Sequence, residues 1–356
     1  MLEVSCPSKV KAITPEAQSA HLNAVSRTFA LTIPLLPPPL CDWVANAYLL
    51  CRIADTMEDD PLAAPGERAA WLNAYAAAAR TGFTDPALFA ELHARGVELV
   101  KAGAVPAELS LMQDMLAVVA RTAGFAPMIR NAIGQGVCIM SRGMARTVLS
   151  NRIDSLEAVD HYCYFVAGVV GEVLASLFSS LPGVKREALM ELAVSFGEGL
   201  QLTNILKDRR TDLSRGISYL PGDDGSGVVL RRYAALALGH LDDARDFVLR
   251  IPSRYRGLRR FCLLNIAMAA ATLKKVLRCS ENPAAVPKIS RRKVKCLYVL
   301  SRFCCGRNFL TRLLYAGVSR GLKRERRDPV ALRKKVSCWV QEALPAGGAE
   351  FYRGFN

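Results

Sequence analysis

Tyr48-Leu-Leu-Cys-Arg52-Ile-Ala-Asp55-Thr-Met-Glu58-Asp59-Asp60-Pro61 is the stretch whose reading decides the fold. As a helix it places Tyr48, Arg52, Asp55 and Asp59 on one face, at offsets of four, seven and eleven residues. That face is polar, while the intervening Leu49, Leu50, Ile53, Ala54 and Met57 are apolar. Carboxylates four residues apart repel, and these sit just before Pro61, at a helix end where the macrodipole already disfavours negative charge. Stability alone does not ask for this pattern. Two readings remain: a solvated acidic helix end, or carboxylates from adjacent turns that hold Mg²⁺ and leave positions for water and phosphate oxygens.

A second copy bears on the choice. Gln201-Leu-Thr-Asn204-Ile-Leu-Lys207-Asp208-Arg-Arg-Thr-Asp212 repeats the spaced pair of aspartates, with Gln201 and Asn204 preceding it on the same face. Two such pairs at the ends of apolar helices suggest two walls of one pocket, where divalent ions would relieve the repulsion.

Four blocks in order, Ser26-Arg27-Thr28-Phe29, the segment from Tyr48, Tyr162-Cys-Tyr-Phe-Val-Ala-Gly168 and Gly197-Glu-Gly-Leu-Gln201, resemble the squalene and phytoene synthase family of head-to-head prenyl transferases. The resemblance covers roughly residues 20 to 300. It implies an all-α fold, a single-domain isoprenoid-synthase-type helical bundle with a central apolar pocket, followed by a basic helical extension from about 301 to 345. It also implies Mg²⁺ held by Asp55, Glu58, Asp59, Asn204, Asp208 and Asp212, and diphosphate or prenyl contacts from Ser26, Arg27, Phe29, Arg52, Gln201, Asn204, Lys207, Arg215 and Tyr219. Catalytic roles fall to Tyr162 as a general base, Arg52 and Tyr48. Phe29, Phe165, Val166, Val170 and Leu174 are the expected apolar lining that keeps water from a carbocation.

The implied reaction joins two farnesyl diphosphates to presqualene diphosphate, which is rearranged and reduced by NADPH to squalene. Three features resemble the reductive branch: Tyr48 before Arg52, the segment Phe261-Cys262-Leu-Leu-Asn265, and the basic run Val286-Pro-Lys288-Ile-Ser-Arg291-Arg292-Lys293-Val-Lys295. For NADPH the resemblance implies Tyr48, Val170, Phe261, Lys288, Arg291, Arg292 and Lys293, the last four on a loop. Gly216-Ile-Ser-Tyr219-Leu-Pro221 resembles the phytoene and bacterial synthase form instead. Dehydrosqualene or phytoene synthesis without reductant is the neighbouring alternative, and a non-catalytic assembly factor the alternative of another class.

With 356 residues, 51% hydrophobic, the chain has material for a large core. Prolines open helices expected at 15, 86, 106 and 127, the third running unbroken to Ala123; a further helix is expected from Trp71, and another from Asp154 through a capping box with Glu157. No strand-period segment or internal repeat is evident, and the absence of a recognition motif argues against nucleic acid. The 11 cysteines show no zinc spacing. No apolar run reaches the length of a membrane span, and no signal core opens the chain, so a cytoplasmic protein peripheral to the inner face of a membrane is expected. The net charge of +15 is uneven: from Arg250 onward basic residues exceed acidic ones by 20. The basic tail from Arg302 to Lys335, set among leucines and valines, is expected to meet anionic lipid. No obligate protein partner is evident.

Overall fold

The computed structural model describes residues 10–150, 153–214, 216–280 and 287–342. Every regular element among them is helical, as the all-α reading requires. The chain groups into two compact units, residues 1–33 with 38–149, and residues 34–37 with 150–356.

The first unit holds α1 (Pro15–Val25), α2 (Arg27–Thr32), α3 (Leu40–Asp59), α4 (Pro65–Arg80), α5 (Pro86–Val100), α6 (Pro106–Gln113), α7 (Met115–Ala123) and α8 (Pro127–Leu149). Thr14 caps α1, accepting from the Ala17 amide, with Pro15 at the first helical position. The same proline logic starts α4 at Pro65, six residues before the expected Trp71. The expected helix from Pro106 to Ala123 breaks at Asp114 into α6 and α7. Within this unit α3 packs against α1, α7 and α8, burying Leu49, Leu50 and Ile53, each worth about 1.5–3 kcal/mol. Its polar contacts are also satisfied: the buried Asn46 donates to Thr122 and accepts from Gln18, tying α1, α3 and α7 together. Gly134 of α8 lies against the Ala79 carbonyl of α4, so this glycine serves close packing.

The second unit holds α9 (Leu156–Cys163), a π-helical turn (Tyr164–Gly168), α10 (Val169–Phe178), α11 (Arg186–Ser214), α12 (Gly227–Arg250), α13 (Arg256–Cys279), α14 (Arg291–Cys304), α15 (Asn308–Ser319), α16 (Pro329–Val336) and α17 (Trp339–Glu342). Helix α11 packs on α10, α12, α13, α16 and the π turn. Gly171 and Gly197 let α10, α11 and the π turn meet backbone to backbone: a Cβ on either would strike the carbonyl of Ala193 or Ala167. Ser155, not Asp154, caps α9, accepting from the Ala158 amide. The π turn adds a residue to the helical register, so Tyr164 and Glu172 are buried while Tyr162, Phe165 and Val166 are half-exposed. The helical run Leu156–Phe178 is long and apolar enough by length and composition to cross a membrane, but it contains the buried Glu172 and 67% of its apolar window is buried inside the fold, as in a core helix.

The basic tail divides in two. Arg327 holds the buried Asp160 at 2.6 and 2.7 Å, Arg333 reaches the fully buried Glu172 at 2.8 Å, and Arg324 and Arg326 meet the buried Asp242 and Asp243. The segment from Leu322 to Val336 is therefore a strap whose four arginines pair with carboxylates of the second unit. A buried carboxylate left unpaired would be strongly destabilising. Residue 301, the expected start of the extension, lies inside α14.

Candidate active site

In the first unit, α3 brings its predicted residues together. Ser26 caps α2 by accepting from the Phe29 amide at 3.1 Å, and Phe29 lies 5.0 Å from the Tyr48 ring. Burial pushes the Tyr48 hydroxyl up, opposed by a hydrogen bond with Ser26 and by the Arg52 charge. One turn further, Arg52 has Asp55 at 3.5 Å and pairs closely with Glu108 of α6. Glu108 was not singled out in sequence, where it reads as an ordinary first-turn acid. Burial, reinforced by the Asp59 and Glu108 charges and opposed by Arg52, raises the Asp55 carboxyl to about 7. Burial likewise raises Glu58, with Asp59 and Asp55 adding to the effect. Asp59 is exposed at the helix end, and Arg27 is exposed in the first turn of α2.

The helix ends where the sequence says it must. Asp60, the residue before Pro61, is extended and buried, and its carboxylate accepts from the amides of Leu62 and Ala63.

In the second unit, α11 presents Gln201, Asn204, Lys207, Asp208 and Asp212 over successive turns. Lys207 lies 3.1 Å from Asp208 and 3.4 Å from the Asn204 carbonyl oxygen, and both acceptors are exposed. Arg209 turns inward to the buried Asp223 and the Ser226 carbonyl, closing the loop after α11, while Arg210 donates to the carbonyls of Cys279 and Ser280. That loop returns Tyr219 to stack on Tyr162, 5.0 Å between centroids and 21° between planes. Arg215 lies outside the described residues.

The residue behind Tyr162 is equally constrained. Tyr164 donates to Glu172 at 3.0 Å and accepts from the Cys338 amide, and Ser337 donates to the other Glu172 oxygen, which also receives Arg333. Burial raises Glu172, opposed by Arg333 and Ser337. The signal for this cluster was a single glutamate within an apolar helix, which requires a partner once buried. Deeper in the unit, Glu198 and His240 lie 3.6 Å apart, both buried, with Glu198 held up and His240 pushed down to about 3 by loss of solvent.

The residues fit a magnesium ion. Among the described residues no three His, Cys, Asp or Glu side chains form a closed metal cage, but Mg²⁺ is held by one or two carboxylates together with waters and phosphate oxygens. The crowding of Asp55, Glu58 and Asp59, where burial and mutual repulsion raise the Asp55 and Glu58 carboxyls, is the feature a divalent cation would answer.

For a dinucleotide the fit is partial. The expected basic loop is helical from Arg291, with Ser290 as its cap, so the exposed Arg291, Arg292 and Lys293 crowd the first turn of α14. Cations are disfavoured there, and a phosphate would meet both the side chains and the free amides. Lys288 is exposed just before the cap and Val170 is half-buried. Phe261 is only 2% exposed and packs edge-on to Phe178 at 6.4 Å, so it faces the core of the second unit.

Comparison with known proteins bears on the family and the fold. A squalene synthase of Candida albicans is 27% identical over 311 residues, 78% of this chain and 65% of that protein; one of Yarrowia lipolytica is 27% identical over 72% and 60%. The chain thus spans about 60–65% of the length of these relatives. Among solved structures, TcSQS in complex with the ligand E5700 aligns with a TM-score of 0.69 at 22% identity, covering 92% of this chain and 96% of the other. A dehydrosqualene synthase aligns at 0.52 and 18% identity over 80% and 94%, and both likenesses establish the fold. The sequence pattern of the squalene/phytoene synthase family matches residues 22–228, which take in α3 with its acidic end, the Tyr162 turn and all of α11, and the chain belongs to that family.

Proposed function

We propose that the protein joins two farnesyl diphosphates head to head, giving presqualene diphosphate, and reduces it with NADPH to squalene. The observation that carries the reading is the paired aspartates at the ends of α3 and α11, with the Asp55 carboxyl raised by burial and by its acidic neighbours, in a family member whose curated relatives are squalene synthases.

Magnesium ions, when bound, supply the Lewis acidity that lets an allylic diphosphate ionise. Asp55, Asp59, Asp208 and Asp212 would hold them. Arg27 and Lys207 are the cations for phosphate oxygens. Arg52, engaged by Glu108 and Asp55, acts by positioning the Asp55 carboxylate. Phe29 of the first unit and Phe165, Val166 and Val170 of the second are half-buried apolar side chains, each a candidate for excluding water from a prenyl chain, whereas Leu174 is buried. Tyr162, held by its stack on Tyr219, is the group for moving a proton near the reacting carbons. Lys288, Arg291, Arg292 and Lys293 are the candidates for NADPH phosphates.

A second reading, dehydrosqualene synthesis without reductant, draws on the turn Gly216-Ile-Ser-Tyr219-Leu-Pro221 and on the core position of Phe261. Incubating the purified protein with farnesyl diphosphate and Mg²⁺, with and without NADPH, separates the two. Squalene that forms only with NADPH is the expected result. Dehydrosqualene in both tubes would move the protein to the non-reductive branch.

A further inference from the structure

Helices α14 and α15 form a hairpin whose inner side is fixed to α13. Leu297, Ser301, Cys305, Thr311, Tyr315 and Val318 are buried, and Arg260 of α13 stacks on Tyr298 at 4.3 Å while donating to its carbonyl. The outer side has the reverse character. On α14 the exposed residues Cys296, Val299, Leu300 and Phe303 fall at i, i+3, i+4 and i+7, one continuous stripe. On α15, which packs against α14, Phe309 and Leu313 are 72% and 57% exposed, and Phe303 of α14 is 64% exposed. Single exposed apolar residues need no explanation, but a contiguous aromatic and aliphatic stripe marks an interaction surface.

The charge around the stripe decides the partner. From Pro287 to Arg324 the chain has eleven Lys or Arg and no Asp or Glu. Lys295, Arg302, Arg307 and Arg312, which flank the stripe, are exposed. These are not the arginines of the strap, which are matched to buried acids within the same unit. A second copy of the face would set cation against cation across a two-fold interface. Phenylalanine and leucine flanked by arginine are suited to an interface that is apolar below and anionic above.

We propose that the outer face of the α14–α15 hairpin docks on an anionic phospholipid bilayer, with Phe303, Phe309 and Leu313 entering the interfacial layer and Arg302, Arg307 and Arg312 meeting the headgroups. The expected lipid contact of the basic tail is thereby moved off the strap and onto a defined face. The inference stands on these side chains and holds whichever product the enzyme makes. An apolar product would leave into the phase against which the protein rests.

The test is co-sedimentation of the full chain with vesicles of phosphatidylcholine alone and of phosphatidylcholine mixed with phosphatidylglycerol. Wild type is expected to bind the mixed vesicles, to lose binding as salt rises, and to stay in solution with neutral ones. The double substitution Phe303→Glu with Phe309→Glu is expected to reduce binding roughly tenfold or more, and each of Arg302→Gln, Arg307→Gln and Arg312→Gln about fivefold. Unchanged melting temperatures would show that the exposed substitutions spare the fold. Equal binding to neutral and mixed vesicles, or undiminished binding by the double variant, would overturn the proposal. So would a lipid-free dimer that the double variant dissociates, which would assign the face to a second copy, or retention on nucleic acid with no retention on vesicles.

Discussion

The two aspartate pairs share a spacing and differ in almost everything else. At the end of α3, Asp55 is half-buried and raised to about 7, and Arg52 is pinned between it and Glu108. On α11, Asp208 is exposed and meets the flexible Lys207, while Arg209 beside it turns inward to Asp223. Equal motifs therefore carry unequal electrostatic loads. The first is a strained, preorganised acidic site that a cation would relieve, and the second is an open one that a cation would recruit.

The largest effect should be common to both. Asp55→Asn and Asp208→Asn are each expected to lower turnover of farnesyl diphosphate by about 10³-fold, the scale of losing a transition-state charge contact. Near-normal turnover in the Asp208 variant alone would reduce the second pair to a solvated helix face. Stability should then separate them. Arg52→Ala leaves Glu108 and Asp55 without their shared cation and is expected to cost about 1–3 kcal/mol in denaturant melts, less than a fully buried pair because the arginine is 26% exposed. Lys207→Ala is expected to cost no more than about 0.5 kcal/mol.

The first site should also carry a pH dependence. Asp55 binds its proton more tightly folded, at about 7, than at its ordinary value of 3.8. The folded state is therefore unaffected below about pH 4 and loses stability as pH rises from there through 7. In metal-free protein Asp55→Asn should remove this loss, gaining about 1–2 kcal/mol at pH 8 after allowing for its partial exposure, and nothing at pH 4. Added Mg²⁺ should raise the wild-type melting temperature at pH 8 and narrow the gap to Asp55→Asn.

What was legible in the sequence is what local rules dictate. Pro15, Pro86, Pro106 and Pro127 open helices as expected, Pro61 ends α3, and the face shared by Tyr48, Arg52, Asp55 and Asp59 follows from periodicity alone. What was not legible depends on partners distant in the chain. Nothing local says that Arg209 turns to Asp223, that Arg52 finds Glu108, or that Arg327 and Arg333 cross more than 150 residues to Asp160 and Glu172. The π turn was hidden for a related reason. An unbroken helical period through Tyr162 puts the wrong side chains inside, and only packing against α11 shifts the register to bury Tyr164 and Glu172. The basic run after Pro287 reads as a loop by charge, yet Ser290 caps it and α13 supplies the surface on which it folds as a helix.

The most direct measurement is the first half of the reaction: farnesyl diphosphate and Mg²⁺ without NADPH, with the products resolved by mass. The account predicts presqualene diphosphate from wild type and none from either Asp55→Asn or Asp208→Asn. Unconsumed farnesyl diphosphate with wild type, or its conversion to farnesol alone, would contradict it.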